Sequence, residues 1–200
     1  MKLFFSPNAC SLAPHIVLRE AGVPFTLEKV DTAKHLTANG TDYYTINPKG
    51  QVPLLELDDG QRLSEGAVIA QYVADKANAT TLIPTAGSLA RYRVMEWQNY
   101  VATELHKAFA PLFNASLDAS AKAILVGVLR TKFEWVDAAL SDSSYLTGNE
   151  FTVADAYLFT VSRWSGYVGL DLSDLRHLQR FLKQVGERPA VQEALRAEAA

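Results

Sequence analysis

Apolar and polar positions change their rhythm partway along the 200-residue chain. Up to about residue 77, short apolar runs alternate with helical spacings. Lys2–Phe5 is a brief apolar run cut off by Ser6-Pro7-Asn8, which predicts a strand. Leu12, Ile16, Val17 and Leu18 then fall on one helical face, with Gly22 as a stop. Phe25–Val30 alternates apolar and polar side chains as a half-buried strand does. Val52–Leu57 predicts another strand, and Asp58-Asp59-Gly60 a hairpin turn. Ser64 reads as the N-cap of a helix carrying Val68, Ile69, Tyr72 and Val73. The order β-α-β-(α)-β-β-α implies a mixed sheet with helices packed on it.

Beyond the loop-like stretch Asn78–Ser88, strand signals nearly vanish. Ala90–Phe113 and Ala119–Leu140 predict long helices. Thr152 and Asp155 stand three residues apart, as in a capping box, with Phe151 placed to staple the entry of a third. Leu172–Gly186 predicts a fourth, ended by Gly186 and Pro189. The expected organisation is an α/β domain over 1–80, a linker over 81–87 and an all-helical domain over 88–200. Punctuation follows the same division: six of eight prolines lie at or before Pro84, and all three tryptophans lie after it.

Composition narrows the functional classes. With 48% hydrophobic residues, 20% charged residues and a net charge of −3, the chain has the makeup of a globular domain. That balance argues against a general nucleic-acid or anionic-membrane binder, which would need a basic face. The opening MKLFFSPNACSLAP is interrupted too early for a signal-peptide core, so a cytoplasmic location is expected. The single cysteine, Cys10, excludes an internal disulfide, a C-x-x-C pair and a cysteine-rich zinc site. The four histidines show no ligand spacing with one another or with Cys10, and no metal is expected.

Position turns that cysteine into a candidate. It follows a strand and opens a helix, where unpaired amides and the dipole's positive end lower a thiol pKa. A thiol near pKa 8.5 is only roughly 3% ionised at neutral pH, so a drop of about two units makes it mostly thiolate. A lone cysteine is also simply a small buried apolar residue. Pro53 fits the first position of a strand or a cis turn, the latter leaving the Val52 backbone groups free for an extended ligand. Ser64-Glu65-Gly66 precedes a helix whose first amides suit a carboxylate, while Glu65 suits an ammonium group; the same residues are also ordinary helix starters. Asn99, Thr103 and His106 fall at i, i+4 and i+7 of one helix, beside an apolar stripe of Val94, Trp97, Val101, Leu105 and Ala108.

Taken together, the chain resembles the cytosolic glutathione transferases, most closely the bacterial beta class. The segments that carry the resemblance are MKLFFSPNACSLAPHIVLREAG, NPKGQVPLLELDDGQRLSEG with IAQYVAD, EWQNYVATELHKAF and FTVADAYLF. The resemblance implies a thioredoxin-like domain with a mixed four-stranded sheet, a helical domain, a homodimer and a role in detoxification. Glutathione is then the co-substrate, with no permanently bound cofactor, and its partner a hydrophobic electrophile. By the same resemblance Cys10 and His106 serve the glutathione sulfur. Val52 and Pro53 meet its cysteinyl unit, Glu65 and Gly66 its γ-glutamyl end, and Asn99, Thr103 and Glu104 supply further contacts. The electrophile is expected between the domains, near Phe109, Tyr157, Trp164 and Tyr167.

Two positions depart from the family pattern. His35 stands where relatives often have the lysine that holds the glycyl carboxylate, and Lys34 precedes it; Phe5 replaces a tyrosine. Ser11 is expected to keep a hydroxyl available beside Cys10. Alternative readings are thiol–disulfide exchange or reductive dehalogenation with Cys10 as nucleophile, and a non-catalytic ligand carrier on the same scaffold.

Overall fold

The computed structural model describes residues 1–199. They form two compact units: Met1–Ile83 with the segment from Arg188 onward, and Pro84–Glu187.

The first unit is built on a mixed five-stranded sheet of order β3-β2-β1-β4-β5. Its strands are β1 (Lys2–Phe5), β2 (Thr26–Asp31), β3 (Leu36–Thr37), β4 (Leu54–Glu56) and β5 (Arg62–Ser64). β1 runs parallel to β2 and antiparallel to β4, with Phe4 opposite both Glu28 and Leu54. The fifth strand, β3, is a two-residue edge piece paired with β2, too short to leave an alternating signature in sequence. Helices α1 (Leu12–Glu20) and α2 (Gly66–Lys76) pack against each other over the sheet. Leu3, Phe5, Leu12, Ile16, Val17, Leu55, Ile69 and Val73 are all buried. Because strand side chains alternate in direction, Phe4 joins a second cluster with Val30, Tyr43 and Leu54.

Ser64 ends β5 rather than capping α2. The N-cap is Glu65, which makes no side-chain cap bond. At the far end of the chain, Pro189 begins a helix instead of ending one: α8 (Pro189–Ala199) has its proline at the first position, where the missing N–H costs nothing. α8 packs along α1 and so belongs with the first unit, not with the helical domain expected over 88–200. Its docking is polar at the centre. Arg19 Nε donates to His15 Nε2 at 2.9 Å, and since arginine only donates, His15 Nδ1–H donates to the Glu198 carboxylate, also at 2.9 Å. Both His15 and Glu198 are buried, and Arg188 grips Glu20 bidentately at 2.6 and 2.8 Å.

The second unit holds α3 (Leu89–Tyr100), α4 (Lys107–Phe109), α5 (Ala119–Ala139), α6 (Val153–Ser162) and α7 (Arg176–Gly186). α7 starts four residues later than the sequence pattern implies, and Phe151 packs edge-on against Tyr145. Val101–His106, between α3 and α4, is a π-helical turn. The buried stripe runs through Val94, Gln98, Val101, Leu105 and Phe109, while Trp97 leaves it to pack with Tyr100 and Trp135.

Every residue of α6 is buried, and its start is closed by the expected capping box. Asp155 Oδ2 accepts from the Thr152 amide at 2.8 Å and its hydroxyl at 2.7 Å, and Oδ1 accepts from the Leu146 amide at 2.8 Å. Burial pushes this carboxyl up to about 6, and the hydrogen bonds from Leu146 and Thr152 pull it back only in part. Asp155→Ala strands these donors in the interior and is expected to cost about 2–5 kcal/mol in urea unfolding. A carboxyl raised in the folded state contributes stability in full below its unfolded pKa and loses it as pH climbs through the folded value. Relative to Asp155→Asn, wild type is therefore expected to lose stability as the pH of the unfolding series rises from about 4 towards about 6.

Candidate functional site

The turn between β1 and α1 presents Cys10. Ser11 is fully buried, and its hydroxyl is spent on the backbone of Ser6: Oγ accepts from the Ser6 amide and donates to the Ser6 carbonyl, each at 3.2 Å. The expectation of an available Ser11 hydroxyl is thereby corrected, because a side chain holding a tight turn is not free for a ligand. Cys10 is half-buried, and its Sγ donates to the Val52 carbonyl at 3.4 Å. The Val52–Pro53 peptide is cis. Two stretches 42 residues apart thus meet at the thiol.

The start of α2 lies on the same segment. Glu65 has φ 70° and ψ 109°, a conformation that L-residues pay to adopt and that clusters at functional sites. Lys49, which sequence reasoning passed over, donates to Glu65 Oε1 at 2.9 Å and to Ser64 Oγ at 3.3 Å. Nothing local marks this pairing, since the partners lie 16 residues apart. A Cβ built on Gly66 would meet Pro53 Cγ at 3.5 Å and Pro14 Cδ at 3.9 Å, so the helix start rests directly on the cis proline.

His35 is pinned rather than swinging. Its Nδ1 lies 3.2 Å from the Gly50 carbonyl, which only accepts, and Nε2 lies 3.1 Å from the Tyr44 hydroxyl. The ring also lies tilted against Tyr44 at a 4.4 Å centroid distance. Lys34 is exposed and reaches Asp31 at 3.6 Å. A cleft of about 350 Å³ opens between the Ser6–Pro7 turn and Lys29–Ala38.

In the second unit the residues expected on one helical face divide. Asn99 and Thr103 are exposed; the Thr103 hydroxyl bonds back to the Asn99 carbonyl at 3.0 Å. Glu104 pairs with Lys132 at 2.7 Å, and that hydrogen bond is the main reason its carboxyl sits below its ordinary range. His106 instead joins an aromatic group, with Nδ1 2.6 Å from the Tyr157 hydroxyl and its ring edge-on to Trp164 at 4.9 Å. The π turn accounts for the division: its wider i→i+5 spacing rotates His106 out of the phase a regular α-helix would impose. Phe109 is fully buried against Trp164, and Phe113, missed in the sequence, stands half exposed beside the same ring. Tyr167 is exposed and outside this group.

Comparison with known proteins identifies the lineage. The family model "Glutathione S-transferase, N-terminal domain" matches residues 8–76, and "Glutathione S-transferase, C-terminal domain" matches residues 100–189. The curated "Glutathione S-transferase GstA" of Escherichia coli O157:H7 is 50% identical over 198 residues, covering 99% of this chain and 98% of that one. The chain belongs to the glutathione S-transferase family. Among solved structures, a sphingomonad glutathione S-transferase complexed with glutathione superposes with a TM-score of 0.95 at 43% identity, covering 100% of this chain and 99% of that one. A bacterial beta-class glutathione S-transferase from Sphingomonas chungbukensis gives 0.95 at 42% identity, over 99% and 98%. Among the described residues of this transferase, no helix is long and apolar enough to cross a membrane.

Gly50 tests how tightly the His35 corner is built. Its φ is +65°, and an added Cβ would lie 2.6 Å from Tyr44 Cε1 and 2.9 Å from His35 Nδ1. Gly50→Ala is expected to lower stability by about 1–3 kcal/mol and to shift the His35 ring resonances, read by thermal unfolding and NMR.

Proposed function

We propose that this chain is a cytoplasmic, beta-class glutathione transferase that holds glutathione on its first unit, favours the thiolate and adds it to small apolar electrophiles. The observation that carries the reading is the convergence of Cys10, the cis Val52–Pro53 peptide and the strained Glu65–Gly66 helix start in one unit. That set matches glutathione's own chemistry. The extended cysteinyl backbone pairs with Val52, the ammonium of the γ-glutamyl end goes to Glu65, and its carboxylate goes to the amides that open α2 at Gly66. His35 is assigned to the glycyl end by its place in the family pattern.

The family resemblance assigns stabilisation of the sulfur anion to Cys10 and His106, and further glutathione contacts to Asn99, Thr103 and Glu104. The thiolate attacks an electrophilic carbon, a C–S bond forms, the leaving group departs with the bonding pair, and the thiol proton passes to solvent. In the resting protein the Cys10 thiol donates to the Val52 carbonyl. The aromatic group of Phe109, Phe113, Tyr157 and Trp164, with Tyr167 nearby in sequence, receives the electrophile. The assembly is a homodimer in this reading, supported by exposed apolar side chains on α3 and α5, among them Leu89, Tyr92, Val128 and Trp135.

Steady-state kinetics with glutathione and an aryl halide test the assignment. Glu65→Gln is expected to raise KM for glutathione about tenfold or more with little change in kcat, because a charge-assisted bond worth about 1.5–3 kcal/mol is lost. Cys10→Ala is expected to keep conjugation at a severalfold lower rate, one hydrogen bond to the thiolate being lost, and to lose reduction of glutathione mixed disulfides. Absence of glutathione binding by wild type in calorimetry at millimolar concentration overturns the reading.

A further inference from the structure

The bond between His106 and Tyr157 has a direction, and that direction decides what the imidazole can do. The O···N distance is 2.6 Å. Hydroxyl donors approach oxygen acceptors to about 2.7–2.8 Å, whereas N–H donors to oxygen sit nearer 2.9–3.0 Å, so a separation this short favours the O–H as donor. The phenolic O–H is also a better donor than the N–H of a neutral imidazole, and the bare ring nitrogen is a better acceptor than a phenol oxygen. We infer that Tyr157 is a positioning residue that donates its hydroxyl proton to His106 Nδ1, holding the ring as the Nε2–H tautomer and making His106 a hydrogen-bond donor rather than a base.

The surroundings fit a fixed ring. Tyr157 is buried in α6, where every residue is buried and the entry is clamped by Asp155, so the hydroxyl is delivered from a rigid element. Trp164 stands edge-on to the imidazole at 4.9 Å, and Trp164 is itself held by Phe109 and Phe113 at 5.5 and 6.1 Å. The π turn that ends at His106 sets the backbone from which the ring reaches Tyr157. A neutral ring whose Nδ1 accepts carries its one proton on Nε2, and can only donate there. Such a group stabilises a thiolate; it does not take the thiol's proton. This inference rests on the reading that His106 serves the glutathione sulfur, but the tautomer is a property of the free protein.

The test is NMR of protein labelled with 15N-histidine, without glutathione. His106→Asn assigns the His106 signals among the four histidines. In wild type near neutral pH, Nδ1 is expected to resonate as an unprotonated, hydrogen-bond-accepting nitrogen and Nε2 as a protonated one. In Tyr157→Phe, which keeps the buried ring and loses only the hydroxyl, Nδ1 moves towards the position of an unbonded nitrogen. The same variant is expected to lose roughly fivefold to tenfold in kcat, the rate equivalent of one hydrogen bond, with KM for glutathione within twofold of wild type and an unchanged fold by circular dichroism. A protonated Nδ1 in wild type, or His106 signals indifferent to Tyr157→Phe, overturns the inference. Wild type that shows the Nε2–H tautomer but binds no glutathione supports the tautomer and refutes the functional reading instead.

Discussion

Everything in the first unit's site hangs from the turn that joins β1 to α1, and a single hydroxyl closes that turn. Ser11 is bonded at both its donor and its acceptor to the backbone of Ser6, with no exposure to solvent. A connection of six residues between a strand and a helix has many conformations open to it, and an interior hydroxyl that satisfies two main-chain groups selects one. Cys10 is presented as a consequence. Its thiol then reaches the Val52 carbonyl, which brings the cis proline, and through Pro53 the start of α2, into the same corner.

The other end of α1 is held just as firmly. The Arg19–His15–Glu198 chain of hydrogen bonds and the Arg188–Glu20 pair tie α8 along the helix that follows the candidate thiol. Buried polar chains of this kind are costly to leave half made, so they favour one register of α8 on α1 over neighbouring ones. The last helix of the sequence is thereby a structural part of the thioredoxin-like unit, although it follows the helical domain in the chain.

Where the sequence was legible, local rules and global packing agreed. β1, α1 and the capping box of α6 were readable, because each is set by residues within a few positions of one another; Pro53 fitted both a strand start and a cis turn, and the structure holds it cis. The misreadings are of three kinds. Ser64 looks like an N-cap, but β5 pairing with β4 claims it, and Glu65 takes the cap position in a conformation no propensity predicts. Pro189 looks like a stop because proline ends helices more visibly than it begins them. Asn99, Thr103 and His106 look like one face because they are spaced for a period of 3.6, which the π turn breaks. Residues such as Lys49, Tyr44 and Phe113 carried no local signal at all; only folding brings Lys49 to Glu65 and Tyr44 to His35. The family resemblance, by contrast, covers nearly the whole chain and proposes roles for residues that spacing alone does not single out.

The central claim is that this site binds glutathione and stabilises its thiolate. Titrating the thiolate absorbance of bound glutathione on the wild-type protein tests it most directly. A free thiol of this kind titrates near about 8.5. The account predicts that the bound sulfur ionises at least one pH unit lower. A bound thiol that titrates at its free value, with glutathione demonstrably on the protein, would contradict it.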